Sequence, residues 1–324
     1  MRVAAVILSF FVASMLAAQL KVDVALVNVV ATITDENGRY VADLSPDDLI
    51  VEEDGLPQTI AHFDQSRDVP VSLGIVLDTS FSMDPKIATA TAAADRFIRS
   101  IHEDDDVFLM PFSYYPYVLQ DFTSDRAVLT KALRRVQISG DTALYDALVE
   151  GLRKIRDGKH QKRAILLISD GDDTASRNSF ESAALAVRES EVLVYSLGIA
   201  PDGMAPVEPP QVRGMPQSID MKVLNALTAT SGGKAWLVSG KPENRLIEIQ
   251  AAFDEIAAEL RNQYSIGYYA THALSDGQWH RIQIRPKNPQ HRVRSRRDYF
   301  GGSEDCTYLP FFSPCVPVFP QPPL

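Results

Sequence analysis

The chain has 324 residues, of which 45% are hydrophobic and 23% charged, a balance typical of a globular protein with about two domains. Its formal net charge of −10 argues against nucleic acid as the main partner, because phosphate binding requires a basic surface. The 2 cysteines exclude a disulfide-dense scaffold, and the 6 histidines never occur at a spacing typical of metal ligands.

Residues 1–18 have the pattern of a signal peptide. A positively charged start precedes an apolar run from Val3 to Ala18 that ends in small residues. The run is short for a membrane span of about 20 residues, and no later run is long enough for one. We therefore expect cleavage near Ala17 or Ala18 and a secreted or periplasmic mature chain. A buried N-terminal strand and an uncleaved anchor remain the alternatives.

Segment 19–68 predicts short β-strands. Alternating or apolar runs at 22–34, 49–53 and 58–63 are separated by turns at Asn37-Gly38 and Asp54-Gly55. This segment is too short to bury a full core by itself.

Segment 69–262 predicts alternating strands and helices. Three strands are continuous apolar runs, as expected for strands buried on both faces: VSLGIVL from Val71, RAILLIS from Arg163 and VLVYSLGI from Val192. A helix is predicted from Pro85 to Ile101, with Asp84 as its N-cap. Further helices are predicted at 126–136, 143–155, 180–189, 221–230 and 243–262. The alternation indicates a mostly parallel sheet covered by helices, interrupted by a surface loop at 201–216.

Segment 263–300 returns to a β pattern, and we expect it to pair in space with residues 22–66. The arginines at 292, 294, 296 and 297 are predicted to form the exposed face of its last strand. The tail 301–324 is rich in proline and aromatic residues. Cys306 and Cys315 lie nine positions apart, and a disulfide between them is expected outside the cytoplasm.

Polar residues cluster where the buried strands end. The first strand runs into Asp78-Thr79-Ser80-Phe81-Ser82, a D-x-S-x-S motif, and the second ends in the sequence Ser169-Asp170-Gly171. A third polar segment, Gly140 to Asp146, opens a helix. Ligands of open parallel sheets bind outside the carboxyl ends of the strands, so the three segments are predicted to converge there.

Carboxylates and hydroxyls in this set are hard oxygen donors, which suit Mg²⁺, with Mn²⁺ or Ca²⁺ as alternatives. Zn²⁺ would recruit cysteine or histidine, and none is near in the sequence. Asp78 and Asp170 carry the only charges of the set, so together they can at most neutralise a dication. Such a site would accept a carboxylate from outside, and a partner's Asp or Glu is the predicted contact.

These motifs, over residues 70–262, resemble the von Willebrand factor type A domain and its metal-ion-dependent adhesion site. The resemblance implies an α/β fold with a doubly wound, mostly parallel, Rossmann-like sheet (69–262). The small β domain flanking it would be built from segments 19–68 and 263–300. It also implies that the metal ligands are Asp78, Ser80, Ser82, Thr142 and Asp170. Asp146 is expected to support the adjoining loop. The implied function is metal-dependent, adhesion-type protein binding, with no enzymatic activity.

Several alternatives stay open at this point. Ser80, Ser82, Asp141 and Thr142 could be ordinary helix caps, which is the commoner use of such residues. The protein could be a scaffold of an envelope assembly in which a metal only stabilises the fold. A hydrolase acting through metal-bound water would need a general base such as Asp172 or Asp173, which otherwise give the site an acidic rim. An EF-hand is rejected because Ala175 stands where its loop needs glycine. The oligomeric state is left open.

Overall fold

The computed structural model describes residues 26–65, 69–200, 219–272 and 276–301. The predicted signal peptide, the loop at 201–216 and both cysteines lie outside these residues. The described strands are β1 (Leu26–Thr34), β2 (Leu49–Glu53), β3 (Leu56–Gln58), β4 (Ile60–Gln65), β5 (Val71–Asp78), β6 (Asp106–Phe112), β7 (Gln120–Thr123), β8 (Lys162–Ser169), β9 (Leu193–Ile199), β10 (Ala235–Val238), β11 (Gln263–Tyr269), β12 (Trp279–Pro286), β13 (Arg292–Ser295) and β14 (Asp298–Phe300). The α-helices are α1 (Ile87–Ser100), α2 (Arg126–Leu133), α3 (Leu144–Lys154), α4 (Phe180–Glu189), α5 (Met221–Ser231) and α6 (Pro242–Arg261).

The central sheet has six strands in the order β10-β9-β8-β5-β6-β7. All neighbours pair in parallel except β6 and β7, which are antiparallel. Every residue of β5 is buried, as its uninterrupted apolar sequence predicts for a strand covered on both faces. The chain order reverses around β5, because β6 lies on one side of it and β8 on the other. This arrangement confirms the predicted doubly wound sheet.

Helices cover both faces of this sheet. One core is formed with α1, α2 and α6, represented by Phe97, Leu129 and Phe253. The other is formed with α3, α4 and α5, represented by Leu148 and Leu224. Full burial of an apolar side chain of this size stabilises the fold by about 1.5–3 kcal/mol. The two cores therefore hold the sheet between the two layers of helices.

The flanking β segments form two four-stranded sheets, ordered β13-β1-β11-β4 and β14-β12-β2-β3. Strand β1 pairs with β11 and β13, and β2 pairs with β12, all antiparallel. The predicted pairing of the N-terminal and C-terminal segments is therefore confirmed. The two sheets share a core that includes Val29, Tyr264 and Ile282. Two short strands, β3 and β14, were not predicted.

A buried carboxylate joins the small β domain to the central sheet. Glu259, near the end of α6, accepts hydrogen bonds from Tyr195 Oη at 2.9 Å and Thr32 Oγ1 at 3.3 Å, and it pairs with Arg294. Glu259 is fully buried. Since Tyr195 lies on β9 and the other two lie on β1 and β13, one side chain connects three elements.

The prediction that all four arginines near β13 face solvent was wrong for two of them. Arg294 forms an ion pair with the buried Glu259, and Arg296 is 9% exposed. The guanidinium group of Arg296 donates to the carbonyl oxygen of Asn28 at 2.6 Å and pairs with Glu191 at 2.7 Å. These acceptors lie far away in the sequence, so the alternating pattern of the strand did not reveal them.

The predicted start of the first helix was also wrong. Residues Phe81–Lys86 form a 3₁₀-helix that contains Pro85, and α1 begins only at Ile87. Asp84 is exposed and is not the cap of α1. The chain turns tightly after β5, where the buried carboxylate of Asp78 binds Ser80 and that of Asp170 binds Lys86.

Among the described residues, no helix has both the length and the apolar character needed to cross a membrane.

Candidate metal centre

The three predicted segments meet at the carboxyl edge of the central sheet. Strands β5 and β8 are neighbours in register, which places Asp78 beside the Ser169-Asp170 pair. The third segment is attached by its backbone: Ser139 N donates to Thr79 O at 2.9 Å, and Phe81 N donates to Gly140 O at 3.0 Å.

Thr142 is held by the loop that follows Asp170. Its carbonyl oxygen accepts hydrogen bonds from Thr174 N at 2.8 Å and Ala175 N at 2.9 Å, and its own amide donates to Thr174 Oγ1 at 3.0 Å. The carboxylate of Asp146 accepts from the amides of Arg177 and Asn178 in the same loop. Asp146 therefore supports the loop, as expected.

The carboxylate of Asp78 is fully buried and surrounded by hydroxyl groups. Its Oδ1 accepts from Ser80 Oγ at 2.6 Å and Ser80 N at 2.9 Å, and its Oδ2 accepts from Ser169 Oγ at 2.7 Å. Ser80 Oγ also lies 3.0 Å from Ser82 Oγ. Burial, followed by the negative charge of Asp170, raises the pKa of Asp78 to about 7, although the hydrogen bonds from Ser80 and Ser169 oppose the shift.

Helix capping does not account for these hydroxyls. Ser80 is the N-cap residue of the 3₁₀-helix, but its side chain makes no capping hydrogen bond. The N-cap residue of α3 is Ala143, so neither Asp141 nor Thr142 occupies that position. By contrast, Asp125 and Ser179 do cap α2 and α4 through their side chains.

A lysine that sequence reasoning did not single out completes the centre. Lys86 is 1% exposed, and its Nζ lies 2.5 Å from Oδ2 of Asp170, which is also 1% exposed. A signal for it exists in the sequence, because Lys86 lies three residues after Met83 and four before Ala90, which is the spacing of one helix face. Met83 and Ala90 are both fully buried. A lysine within such an apolar stripe indicates a buried cation that needs a partner.

The rim of the centre is acidic and aromatic. Asp172 is half-buried, and burial together with the charge of Asp170 raises its pKa. Asp173 accepts from Ser176 Oγ at 2.5 Å and from Tyr145 N at 3.3 Å. Two exposed aromatic side chains adjoin the centre: Phe81 in the turn after Asp78, and Tyr114 beside Gly140.

The geometry of the backbone explains why the S-D-G motif has a glycine at position 171. Gly171 has φ of +85°, and a Cβ atom there would lie 2.6 Å from the carbonyl oxygen of Asp220. The backbone of Asp220 in turn donates to Asp170 O at 2.8 Å. Any larger residue would therefore displace the chain beside Asp170.

Comparison with known proteins shows which family the part of the chain that carries this centre resembles. Residues 73–172 match the family model of the von Willebrand factor type A domain. The matched part of the chain runs from β5 to just beyond Asp170 and so includes all five predicted ligands.

A protein of Synechocystis sp., described as "Uncharacterized protein sll0103", is 30% identical over 119 residues, which are 36% of this chain. The chain spans 28% of the length of that curated relative. Among solved structures, a von Willebrand factor type A protein from Catenulispora acidiphila is 13% identical with a TM-score of 0.48, covering 88% of this chain and 76% of that one. The protein BatB from Bacteroides thetaiotaomicron is 20% identical with a TM-score of 0.45, covering 58% and 98%.

Proposed function

We propose that this chain is a protein-binding module that captures an acidic side chain of its partner through a divalent ion. The ion, Mg²⁺ in the first place and Mn²⁺ or Ca²⁺ as alternatives, would be held by Asp78, Ser80, Ser82, Thr142 and Asp170. The observation that carries the proposal is the buried carboxylate of Asp78, on which the hydroxyls of Ser80 and Ser169 converge without capping a helix.

The donor set suits a hard cation. The residues offer two carboxylates and three hydroxyls, and Mg²⁺ prefers oxygen ligands of this kind while keeping some of its waters. Mg²⁺ supplies a Lewis-acidic position at which a carboxylate can replace water. The acidic rim would favour entry of cations and disfavour strongly acidic partners, so the proposed contact is a single carboxylate.

Lys86 makes the formal charge of the ligand set less negative than the two carboxylates alone. With Asp78 ionised, Asp78, Asp170 and Lys86 carry a formal charge of −2 + 1 = −1. A bound dication changes this to +1, and one incoming carboxylate neutralises it. The contribution of Lys86 therefore favours capture of an Asp or Glu side chain.

The same lysine also favours a second candidate function. Because Lys86 already neutralises Asp170, the ammonium group of Lys86 can take the place of a metal ion in the centre. The protein would then be a structural scaffold of an envelope assembly. The two candidates differ in what a metal does. A scaffold gains at most stability from it, whereas an adhesion module needs it to hold the partner.

The proposed setting is outside the cytoplasm, as a secreted or periplasmic protein, in agreement with the N-terminal pattern. The partner is proposed to be a protein and not a nucleic acid, because the chain is acidic. We propose no enzymatic activity: of the two candidate bases, Asp173 is engaged by Ser176 and Tyr145, and the binding proposal needs neither Asp172 nor Asp173.

Thermal melting of the mature protein tests the metal site. Since an ion that binds only the native state stabilises it by mass action, Mg²⁺ at about 100 times its Kd should add about 2.7 kcal/mol relative to EDTA. We expect this gain to be lost in Asp78→Ala. Asp84→Ala is the matched control, because Asp84 lies exposed in the same turn and should leave the gain intact. Equal melting of the wild-type protein in EDTA and in Mg²⁺ would contradict the proposal.

A further inference from the structure

A second group of metal-ligating side chains lies in the small β domain. Glu53 at the end of β2, His272 after β11 and His280 on β12 each offer one ligand atom, and these atoms lie within 4.8 Å of one another. Glu53 is 3% exposed, and the side chains of His280 and His272 are 8% and 24% exposed. The group is formed by the pairing of β2 with β12 and shares no residue with the centre around Asp78.

The contacts within the group bring nitrogen and oxygen ligands together. His272 Nε2 lies 3.0 Å from Glu53 Oε1, and its Nδ1 lies 3.4 Å from Asp276 Oδ2. The same Asp276 oxygen lies 3.0 Å from His280 Nε2. The two imidazole rings are stacked, with centroids 3.7 Å apart. Oδ2 of Asp276 therefore contacts one nitrogen of each of the two stacked rings.

Further hydrogen bonds orient these side chains, as metal ligands commonly require. Asp54 Oδ2 lies 2.8 Å from His280 Nδ1, so a proton on Nδ1 leaves Nε2 with its lone pair directed towards the group. Glu53 Oε2 accepts from Tyr268 Oη at 2.6 Å and Tyr299 Oη at 2.8 Å, which leaves Oε1 facing His272.

The charge of the group also favours a dication. Glu53, Asp54 and Asp276 bring three negative charges around two imidazoles, and the buried Glu53 needs compensation. A divalent ion bound by Glu53 and the two imidazoles would supply that compensation.

We propose that Glu53, His272 and His280 form a binding site for a divalent first-row transition ion, with Zn²⁺ as the ion to test and with Asp276 as a residue that orients the imidazole of His272 from its Nδ1 side. Two imidazoles with a carboxylate suit Zn²⁺ and its neighbours better than Mg²⁺ or Ca²⁺, which prefer all-oxygen ligands. The site would clamp the end of β2 to β12 and to His272 after β11, and it is independent of the function proposed for the type A domain.

Calorimetric titration of Zn²⁺ into the EDTA-treated mature protein, made without a histidine tag, tests this site. Excess Mg²⁺ is present to occupy the centre around Asp78. We expect one Zn²⁺ per chain, an affinity at least tenfold lower in His272→Gln, and unchanged affinity in Asp78→Ala and in the exposed control His62→Gln. Equal Zn²⁺ affinity in the wild-type protein and His272→Gln, or no Zn²⁺ binding in Mg²⁺, would overturn the proposal.

Cobalt substitution keeps the test decisive if His272→Gln does not fold. Co²⁺ added to the wild-type protein in excess Mg²⁺ should develop the intense visible absorption of a site with nitrogen ligands and low coordination number. The weak spectrum of an octahedral, all-oxygen Co²⁺ ion would show that the histidine group is only a hydrogen-bonded cluster and would overturn the proposal.

Discussion

Replacing Lys86 by methionine should make the stability of the protein depend strongly on a divalent ion. In EDTA, Lys86→Met leaves the buried Asp170 without its cation, and breaking a buried ion pair in this way typically costs about 3–5 kcal/mol. A dication at the candidate centre would restore the missing positive charge, so Mg²⁺ should recover most of this loss. Urea unfolding of the variant with EDTA and with Mg²⁺ measures both effects.

The matched control is Lys131→Met, which removes an exposed lysine from α2 and should change stability little in either condition. Loss of stability in Lys86→Met that Mg²⁺ does not recover would indicate that the ion does not reach Asp170. It would favour the scaffold, in which Lys86 is the permanent cation of the centre.

Replacing Glu259 by glutamine should destabilise the junction between the small β domain and the central sheet. The amide keeps the shape of the side chain but removes the charge that faces Arg294, whose side chain is 35% exposed. Because Arg294 is partly screened by water, we expect a loss of about 2–3 kcal/mol, less than for a fully buried pair. Chemical denaturation followed by tryptophan fluorescence measures it, since Trp236 packs against Tyr195, a partner of Glu259.

A double-mutant cycle with Arg294→Met separates the ion pair from the other contacts of Glu259. Once Arg294 is methionine, Glu259→Gln should cost clearly less than it does in the wild-type protein. An equal cost in both backgrounds would mean that the bonds to Tyr195 and Thr32, and not the charge, hold the junction.

Much of the architecture could be predicted because local sequence and tertiary environment agree. Strand β2 and helix α4 lie at the predicted residues; for α4, Ser179 caps an amphipathic segment. The uninterrupted apolar sequence of β5 correctly indicated a strand covered on both faces. The convergence of Asp78 and Asp170 followed from a topological rule for parallel sheets, without knowledge of any side-chain contact.

What could not be predicted depends on contacts between distant parts of the chain. Lys86 and Asp170 are 84 positions apart, and Glu53 and His272 are 219 positions apart. The histidines looked uninformative because His272 and His280 approach Glu53 only through the pairing of distant strands, which leaves no characteristic spacing in the sequence. The 3₁₀-helix before α1 was missed for a related reason: Asp84-Pro85 is a good local start for a helix, but the buried contacts of Ser80 and Lys86 impose a tighter turn.

In the proposed function, an ion at this centre binds a carboxylate from outside. The most direct measurement is the water-proton relaxation caused by Mn²⁺ bound to the mature protein, while a short glutamate-containing peptide is added. A carboxylate that replaces water on the ion should lower the relaxation, whereas the matched glutamine peptide should not, and Asp78→Ala should show neither bound Mn²⁺ nor the effect. Equal responses to the two peptides, or no response to either, would contradict the proposed function.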